Sequence, residues 1–442
     1  MRNRKIGPFL ATALVANNMI GSGIFLLPAS LAAVGSVTIL GWLVATFGAL
    51  CVALVLAKLG QVSPEPGGPC AYAEASLGRF IGFQNYVIYG LCNIVGVIAI
   101  TLAAVGYLGH FFPALTTPLN VALASTALIW LFTAVNVFGP RFACQVETFT
   151  LVVGLVPLAL VGTAGWWFFD AETFRASWNV TGKPALEVIP GSMVLVFWAF
   201  VGLESASVGT AFIENPRRNV PLATVAGLLL VGLFYMATCS VIMGIIPAAT
   251  LAKSTAPFAD AAQHMIGPFA GAVVALAAML KASGAVCGWI LINAQLSKRG
   301  AERNFFPAIL ARTDSGGVPT LALVLQALLM SAVVFATMSP TLNQQFNRLI
   351  EVSTIYTLIT YIYGATAIWH FEGAGPESLS LHRYRALAVL AMAFSMVVIL
   401  MSGTQMLALT AVTILATCLA YPLAMGKDSR STPRRSGSIP SA

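Results

Sequence analysis

Twelve unbroken apolar runs, each long enough to span a hydrocarbon core of about 30 Å, take up almost the whole of this 442-residue chain. They lie near 7–30, 36–58, 81–110, 119–139, 145–168, 188–213, 221–246, 268–297, 319–338, 346–370, 385–402 and 404–425. Only 9% of residues are charged and 58% are hydrophobic, with a mean hydropathy of +0.87. A soluble domain carries roughly 25% charge, so an ordinary water-soluble fold is excluded. A lipid-embedded β-barrel would show short alternating strands instead of long runs. Without water to satisfy the backbone, runs of this length are expected to be helices. The fold class expected is therefore an all-α membrane protein with twelve transmembrane helices. It forms one domain over 1–426, with a disordered cytoplasmic tail over 427–442 that is rich in Ser, Pro and Arg.

The placement of charge gives an orientation. If the amino terminus is cytoplasmic, 18 of the 23 Lys and Arg fall on the inner side, among them Arg2, Arg4, Lys58, Arg79, Arg217, Arg299 and Arg383. Arg175, Lys183 and Lys253 lie outside, and Lys281 and Arg348 lie within or at the edge of apolar runs. By the positive-inside rule both termini are expected in the cytoplasm. The net charge of +8 thus reflects membrane orientation and not a nucleic-acid partner. The 7 Cys have no CxxC spacing and mostly fall inside apolar runs, as reduced packing residues do. The first run is too long, and too polar at Asn17 and Asn18, for a cleaved signal peptide.

Two runs are interrupted halfway. The first contains Asn17-Asn18-Met19-Ile20-Gly21-Ser22-Gly23-Ile24-Phe25, and the sixth contains Phe197-Trp198-Ala199-Phe200-Val201-Gly202-Leu203-Glu204-Ser205. Breaks at positions one and six are what a five-plus-five inverted repeat produces, with repeats near 7–168 and 188–370 and helices eleven and twelve appended over 385–425. Unwinding at Gly21-Ser22-Gly23 would free N–H groups at the start of a half-helix, where the dipole favours a carboxylate. Unwinding near Trp198 to Gly202 would free carbonyls suited to an ammonium. Together they would make a midplane site for an α-amino acid backbone. Close helix packing is the plainer reading of Gly-Ser-Gly alone. The matched positions of the two breaks favour binding.

Glu204 is an acid deep in an apolar run, where a charge costs about 2.5–3.5 kcal/mol. Such a group normally faces a cavity; a protonated or internally paired structural acid is the alternative. Glu351 has Arg348 three residues earlier on one helical face, which favours a structural pair. Lys281 could snorkel, pair with an acid, or occupy a place where sodium sits in related folds. Trp198 and Trp289 fall near the middle of their runs. A single mid-membrane Trp is best read as packing, but a desolvated cation over an indole gains about 2 kcal/mol. Tyr89, Cys92 and Asn93 lie within two turns of one another and could supply the polar remainder. Aromatic walls and a buried Glu point to a positively charged organic ligand.

At these residues the chain resembles the amino acid, polyamine and organocation transporter superfamily over essentially its whole length. The resemblance is strongest to bacterial exchangers of a basic amino acid for its decarboxylated amine: arginine with agmatine, lysine with cadaverine, ornithine with putrescine. The matching stretches are Asn18 to Pro28, Pro66-Gly67-Gly68-Pro69-Cys70-Ala71-Tyr72-Ala73, Trp198 to Ser207, Glu214-Asn215-Pro216-Arg217-Arg218-Asn219-Val220-Pro221, Ser254-Thr255-Ala256-Pro257-Phe258, and Gly288-Trp289. The resemblance implies the LeuT-like fold of broken helices 1 and 6. It implies that Ser22 and Gly23 bind the substrate carboxylate, and that carbonyls of Met19, Trp198 and Val201 bind its α-amino group. Trp198 would stack on the aliphatic stem and close the outer gate, and Trp289 would face the cationic head as a middle gate. Tyr89 and Glu204 would form the inner gate, with Glu204 the pH-responsive group. Asn18, Cys92, Asn93, Val97 and Ser353 complete the candidate binding set.

The resemblance further implies no bound cofactor or metal, a place in the bacterial inner membrane, and a role in acid resistance beside a decarboxylase. Dimers are common among such exchangers, and composition does not reveal the oligomeric state. Two positions depart from the arginine exchangers. Those place an amide about where Val97 stands, whereas the nearest amide here is Asn93, one turn earlier; and they carry a Tyr where Cys70 stands. A shifted amide could still reach the head group, or could select a shorter or different amine, so the resemblance by itself implies neither arginine selection nor strict acid activation. The competing reading is a proton-coupled importer of the same fold, with Glu204 or Lys281 carrying the proton. An enzyme is disfavoured, since His110, His264, His370 and His382 lie far apart and no nucleophile constellation or P-loop is present.

Overall fold

The computed structural model describes residues 6–20, 24–62, 68–208, 213–314, 317–371 and 378–424. The helices run in chain order as α1 (Pro8–Ile20), α2 (Leu27–Ala32), α3 (Thr38–Val62), α4 (Pro69–Leu108), α5 (Pro118–Val137) and α6 (Pro140–Ala164). Next come α7 (Ala171–Ala176), α8 (Ala185–Trp198), α9 (Ser205–Val208), α10 (Pro216–Ile245), α11 (Ala248–Leu251) and α12 (Pro257–Ile266). The last are α13 (Pro268–Glu302), α14 (Thr320–Ala336), α15 (Leu342–Ala365), α16 (Ala367–His370), α17 (Ser378–Leu400) and α18 (Thr404–Ala424). Among the described residues there is no strand, only an isolated parallel bridge between Ile6 and Ile213. The chain is an all-α membrane protein. Among the described residues seven helices are long and apolar enough to cross a bilayer, α3, α4, α5, α6, α10, α13 and α18. Each of the other apolar runs also lies on helix, α1 with α2, α8 with α9, α14, α15 and α17. The sequence expectation for 427–442 falls outside the described residues.

Both expected interruptions are present as helix ends. The first run stops as α1 at Ile20 and resumes as α2 at Leu27; Gly21, Ser22 and Gly23 lie outside the described residues. The sixth stops as α8 at Trp198 and resumes as α9 at Ser205. One boundary differs from the reading of hydropathy. The third helix begins at Pro69 and not near 81, because residues 69–77 continue it as a polar arm across Gly78, whose φ of 83° is not helical. The arm is held at its far end: Glu74 pairs with Arg303, and Arg79 Nη2 donates to the Arg303 carbonyl at 3.1 Å while its guanidinium lies 5.5 Å from the Phe305 ring. Hydropathy alone could not see this segment, since it carries Glu74 and Ser76 and its partner Arg303 is more than 200 residues away.

The core is a contiguous set of buried apolar side chains in which α4 is central. It packs closely on α13 and α15, while α13 also packs on α6, and α10 on α1 and α3. The outer helices α5, α6 and α18 keep large apolar side chains exposed, such as Leu131, Phe149 and Leu415, as a lipid-facing surface requires. Between α6 and α8 a short connection is fastened over α3. Asp170 caps α7 through Glu172 N (3.1 Å) and Thr173 N (3.0 Å), and Ser36 N and Val37 N donate to the carbonyls of Ser177 (2.9 Å) and Trp178 (2.8 Å).

Candidate functional site

The two helix breaks touch. In the sixth run the chain leaves α8 through tight turns, Val201 N to Trp198 O at 3.1 Å and Leu203 N to Phe200 O at 3.2 Å. Gly202 then takes a φ of +105°, a conformation L side chains rarely adopt. A Cβ there would lie 3.1 Å from the carbonyl of Asn18 and 3.3 Å from Met19 N, so only glycine lets the second break rest on the first. Asn18 Nδ2 donates to Ser205 Oγ (2.7 Å), and that hydroxyl donates to the Gly202 carbonyl (2.5 Å). The Met19 carbonyl accepts from Tyr235 Oη at 2.8 Å.

Beside the breaks is a small cavity of about 10 Å³, room for about one water molecule. From α4 it is lined by Cys92, Asn93, Gly96, Val97 and Ile100; the α8 break contributes Trp198 and Val201, α13 contributes Trp289, and α15 contributes Ser353. Seven of these residues are candidates from the sequence, gathered from four helices. They meet because 92, 93, 96, 97 and 100 fall on adjoining faces of one helix, against which α13 and α15 pack. Gly96 sets the depth of the cavity: a Cβ there would stand 3.0 Å from the Trp198 ring and 3.3 Å from Ser353 Oγ. The Ser353 hydroxyl is used in joining helices, donating to the Cys92 carbonyl at 3.0 Å, and Cys92 Sγ meets Thr357 Oγ1 at 2.9 Å. Asn93 is 3% exposed and its Nδ2 has no hydrogen-bond partner. A buried amide nitrogen without a partner in a cavity wall is poised for a ligand.

Next to the cavity, Glu204 is 2% exposed and fully engaged. One carboxylate oxygen accepts from Tyr89 Oη at 2.7 Å; the other accepts from Tyr361 Oη at 2.5 Å and from Gly202 N at 3.2 Å. The acid thus ties α4 and α15 to the glycine of the second break. Tyr361 escapes sequence reasoning because its partner is 157 residues away and a Tyr in an apolar run looks like ordinary packing.

Residues 6–425 match the family model for amino acid permeases. The chain belongs to the amino acid permease family. The permease is 37% identical over 375 residues to the "Cadaverine/lysine antiporter" of Escherichia coli strain K12, covering 84% of each chain. It is 35% identical over 367 residues to the "Putrescine transporter PotE" of Haemophilus influenzae, covering 83% of the permease and 84% of the relative.

Two charged candidates of the permease lie outside the cavity lining. Lys281 is 1% exposed and its Nζ donates to Asn17 Oδ1 at 3.4 Å, while Asn17 Nδ2 donates to Glu147 Oε1 at 3.3 Å. Lys281 thus meets an amide directly, with an acid on the far side of that amide. Arg348 directs Nη1 to Ser339 Oγ at 3.5 Å, and among the described residues it forms no ion pair with Glu351, half-buried one turn on. Glu147 was not among the sequence candidates, since a Glu close to a polar helix start reads as interfacial.

Proposed function

We propose that this permease is an antiporter that exchanges a cationic amino acid for its decarboxylated amine by alternating access around the two broken helices. The observation that carries the reading is the contact of the two breaks at Gly202 and Asn18 beside a cavity walled by Trp198 and Trp289. The breaks expose main-chain groups for the part of the ligand common to all amino acids. The indoles suit a cationic stem and head. The names of the relatives, a cadaverine/lysine antiporter and a putrescine transporter, favour lysine with cadaverine or ornithine with putrescine over arginine with agmatine. Val97 points the same way, since it offers no amide where a guanidinium would need one, and Asn93 is the amide left, its Oδ1 accepting from an ammonium head. In this reading Ser22 and Gly23 receive the carboxylate, Met19, Trp198 and Val201 receive the α-amino group, and Tyr89 and Glu204 close the inner side. The permease acts as a carrier and not as an enzyme. Twelve crossings, a five-plus-five repeat and cytoplasmic termini complete it.

Counterflow in proteoliposomes tests this. Vesicles are preloaded separately with arginine, agmatine, lysine, cadaverine, ornithine, putrescine or buffer, with labelled substrate outside at pH 5 and 7. Uptake only into vesicles loaded with a basic amino acid or its amine supports exchange and names the pair. Accumulation in buffer-loaded vesicles under a proton gradient would replace exchange with proton-driven import.

A further inference from the structure

A buried lysine is the least expected charge in this membrane core, and it does not stand alone. Lys281 lies on α13 about two turns before Trp289, and Glu147 lies on α6; Asn17, in the last turn of α1, bridges them by accepting from one and donating to the other. The contact is built into the backbone. A Cβ on Gly284 would sit 1.7 Å from Thr150 Oγ1, one on Gly154 2.4 Å from Lys281 Cβ, and one on Gly288 2.7 Å from Glu147 Oε2. Three glycines on the facing surfaces of α6 and α13 therefore bring the helices close enough to enclose both charged side chains. The chain of groups runs cation, amide, anion, with the cation beside the carboxyl-terminal end of α1, where the helix dipole favours positive charge.

Its bridging amide and its acidic end adjoin the proposed binding site. Asn17 precedes Asn18 and Met19, which rest against Gly202 of the second break. The Glu147 carboxylate lies against Gly288, the neighbour of Trp289 in the cavity wall. We infer that Asn17, Glu147 and Lys281 are positioning residues for transport: together they seat the broken end of α1 and the backbone behind Trp289, and this linkage sets the rate at which the loaded carrier changes face. The inference rests on the transporter reading of the same site. None of the three lines the cavity, so they act on the substrate only through α1 and α13.

Opposite charges in a low-dielectric core impose a sharp pattern on variants. Removing one leaves the other uncompensated, whereas removing both relieves that penalty. The test measures substrate affinity by calorimetry, heat stability, and exchange rate in proteoliposomes for Asn17→Ala, Lys281→Met, Glu147→Gln and the double Lys281→Met/Glu147→Gln. Asn17→Ala keeps both charges and cuts only the bridge. It is expected to slow exchange about tenfold with substrate Kd changed less than about threefold, a rate effect separated from binding. The single charge variants are expected to lose heat stability, and the double variant to regain it while exchange stays about tenfold slow. Wild-type exchange rates in Asn17→Ala or in the double variant would overturn the inference, leaving the trio a packing feature. A wild-type protein that binds no basic amino acid or amine and exchanges none would instead sink the transporter reading, a result visible before any variant is made.

Discussion

Trp289 shows how little of a side chain's role follows from its being aromatic and buried. It is 8% exposed and lines a cavity whose wall also holds the unpartnered amide nitrogen of Asn93. If the indole faces a cationic head, Trp289→Leu will weaken binding of lysine or cadaverine by about 0.5–2 kcal/mol in calorimetry. Unchanged affinity would move the head group elsewhere. Glu204 carries a second residue-scale prediction. Its two oxygens accept three hydrogen bonds, so Glu204→Gln turns an NH₂ toward a donor and loses about 1–3 kcal/mol of local interaction. Exchange is expected to fall about tenfold or more, and undiminished exchange at both pH 5 and pH 7 would remove Glu204 from the cycle. Glu204 was legible in the sequence as a charge in an apolar run. Its partner Tyr361 was not, because a phenol betrays its hydrogen bond only once the helices are assembled.

At the scale of elements, the breaks decide what α1 and α8 can do. Gly202 is their meeting point, and Gly202→Ala combines a left-handed φ with a Cβ 3.1 Å from the Asn18 backbone. Strain of this kind costs about 1–3 kcal/mol, so lower heat stability and loss of exchange are expected. A variant with unaltered melting and counterflow would show that the breaks separate without penalty. Outside the membrane, α7 depends on its cap. The Thr173 hydroxyl and the Thr173 and Glu172 amides hold the Asp170 carboxyl below the usual carboxylate range. A depressed folded pKa contributes stability that is present above the unfolded value of about 3.9 and lost as pH falls through the folded one. Asp170→Asn is therefore expected to speed hydrogen exchange in 171–177 at pH 7, and the difference to shrink as pH falls through the folded value. A difference that persists at low pH would assign the cap to geometry rather than charge. The polar arm at the start of α4 makes the complementary point about elements: hydropathy places the part of a helix that lipid demands, and misses the part that an ion pair to Arg303 holds in place.

For the whole molecule, charge placement predicts that cysteines added at both termini will react with an impermeant thiol reagent only from the cytoplasmic side. Labelling of either from outside would invert or break the proposed twelve-crossing topology. The sequence by itself determined that the chain lives in a bilayer, that its runs are helices and that the first and sixth break, because hydrophobic length and the cost of unpaired backbone in lipid act locally on consecutive residues. It also marked Asn93, Trp198, Trp289 and Glu204, since polar or aromatic residues in mid-run are visible against an apolar background. Tertiary structure alone decided which of these share a cavity, that Gly202 rests on Asn18, that Tyr361 completes the cage around Glu204, and that Lys281 reaches Glu147 through Asn17. Those contacts join helices across more than a hundred residues. They depend on the angle and depth at which α4, α6, α13 and α15 pack, which no local pattern encodes.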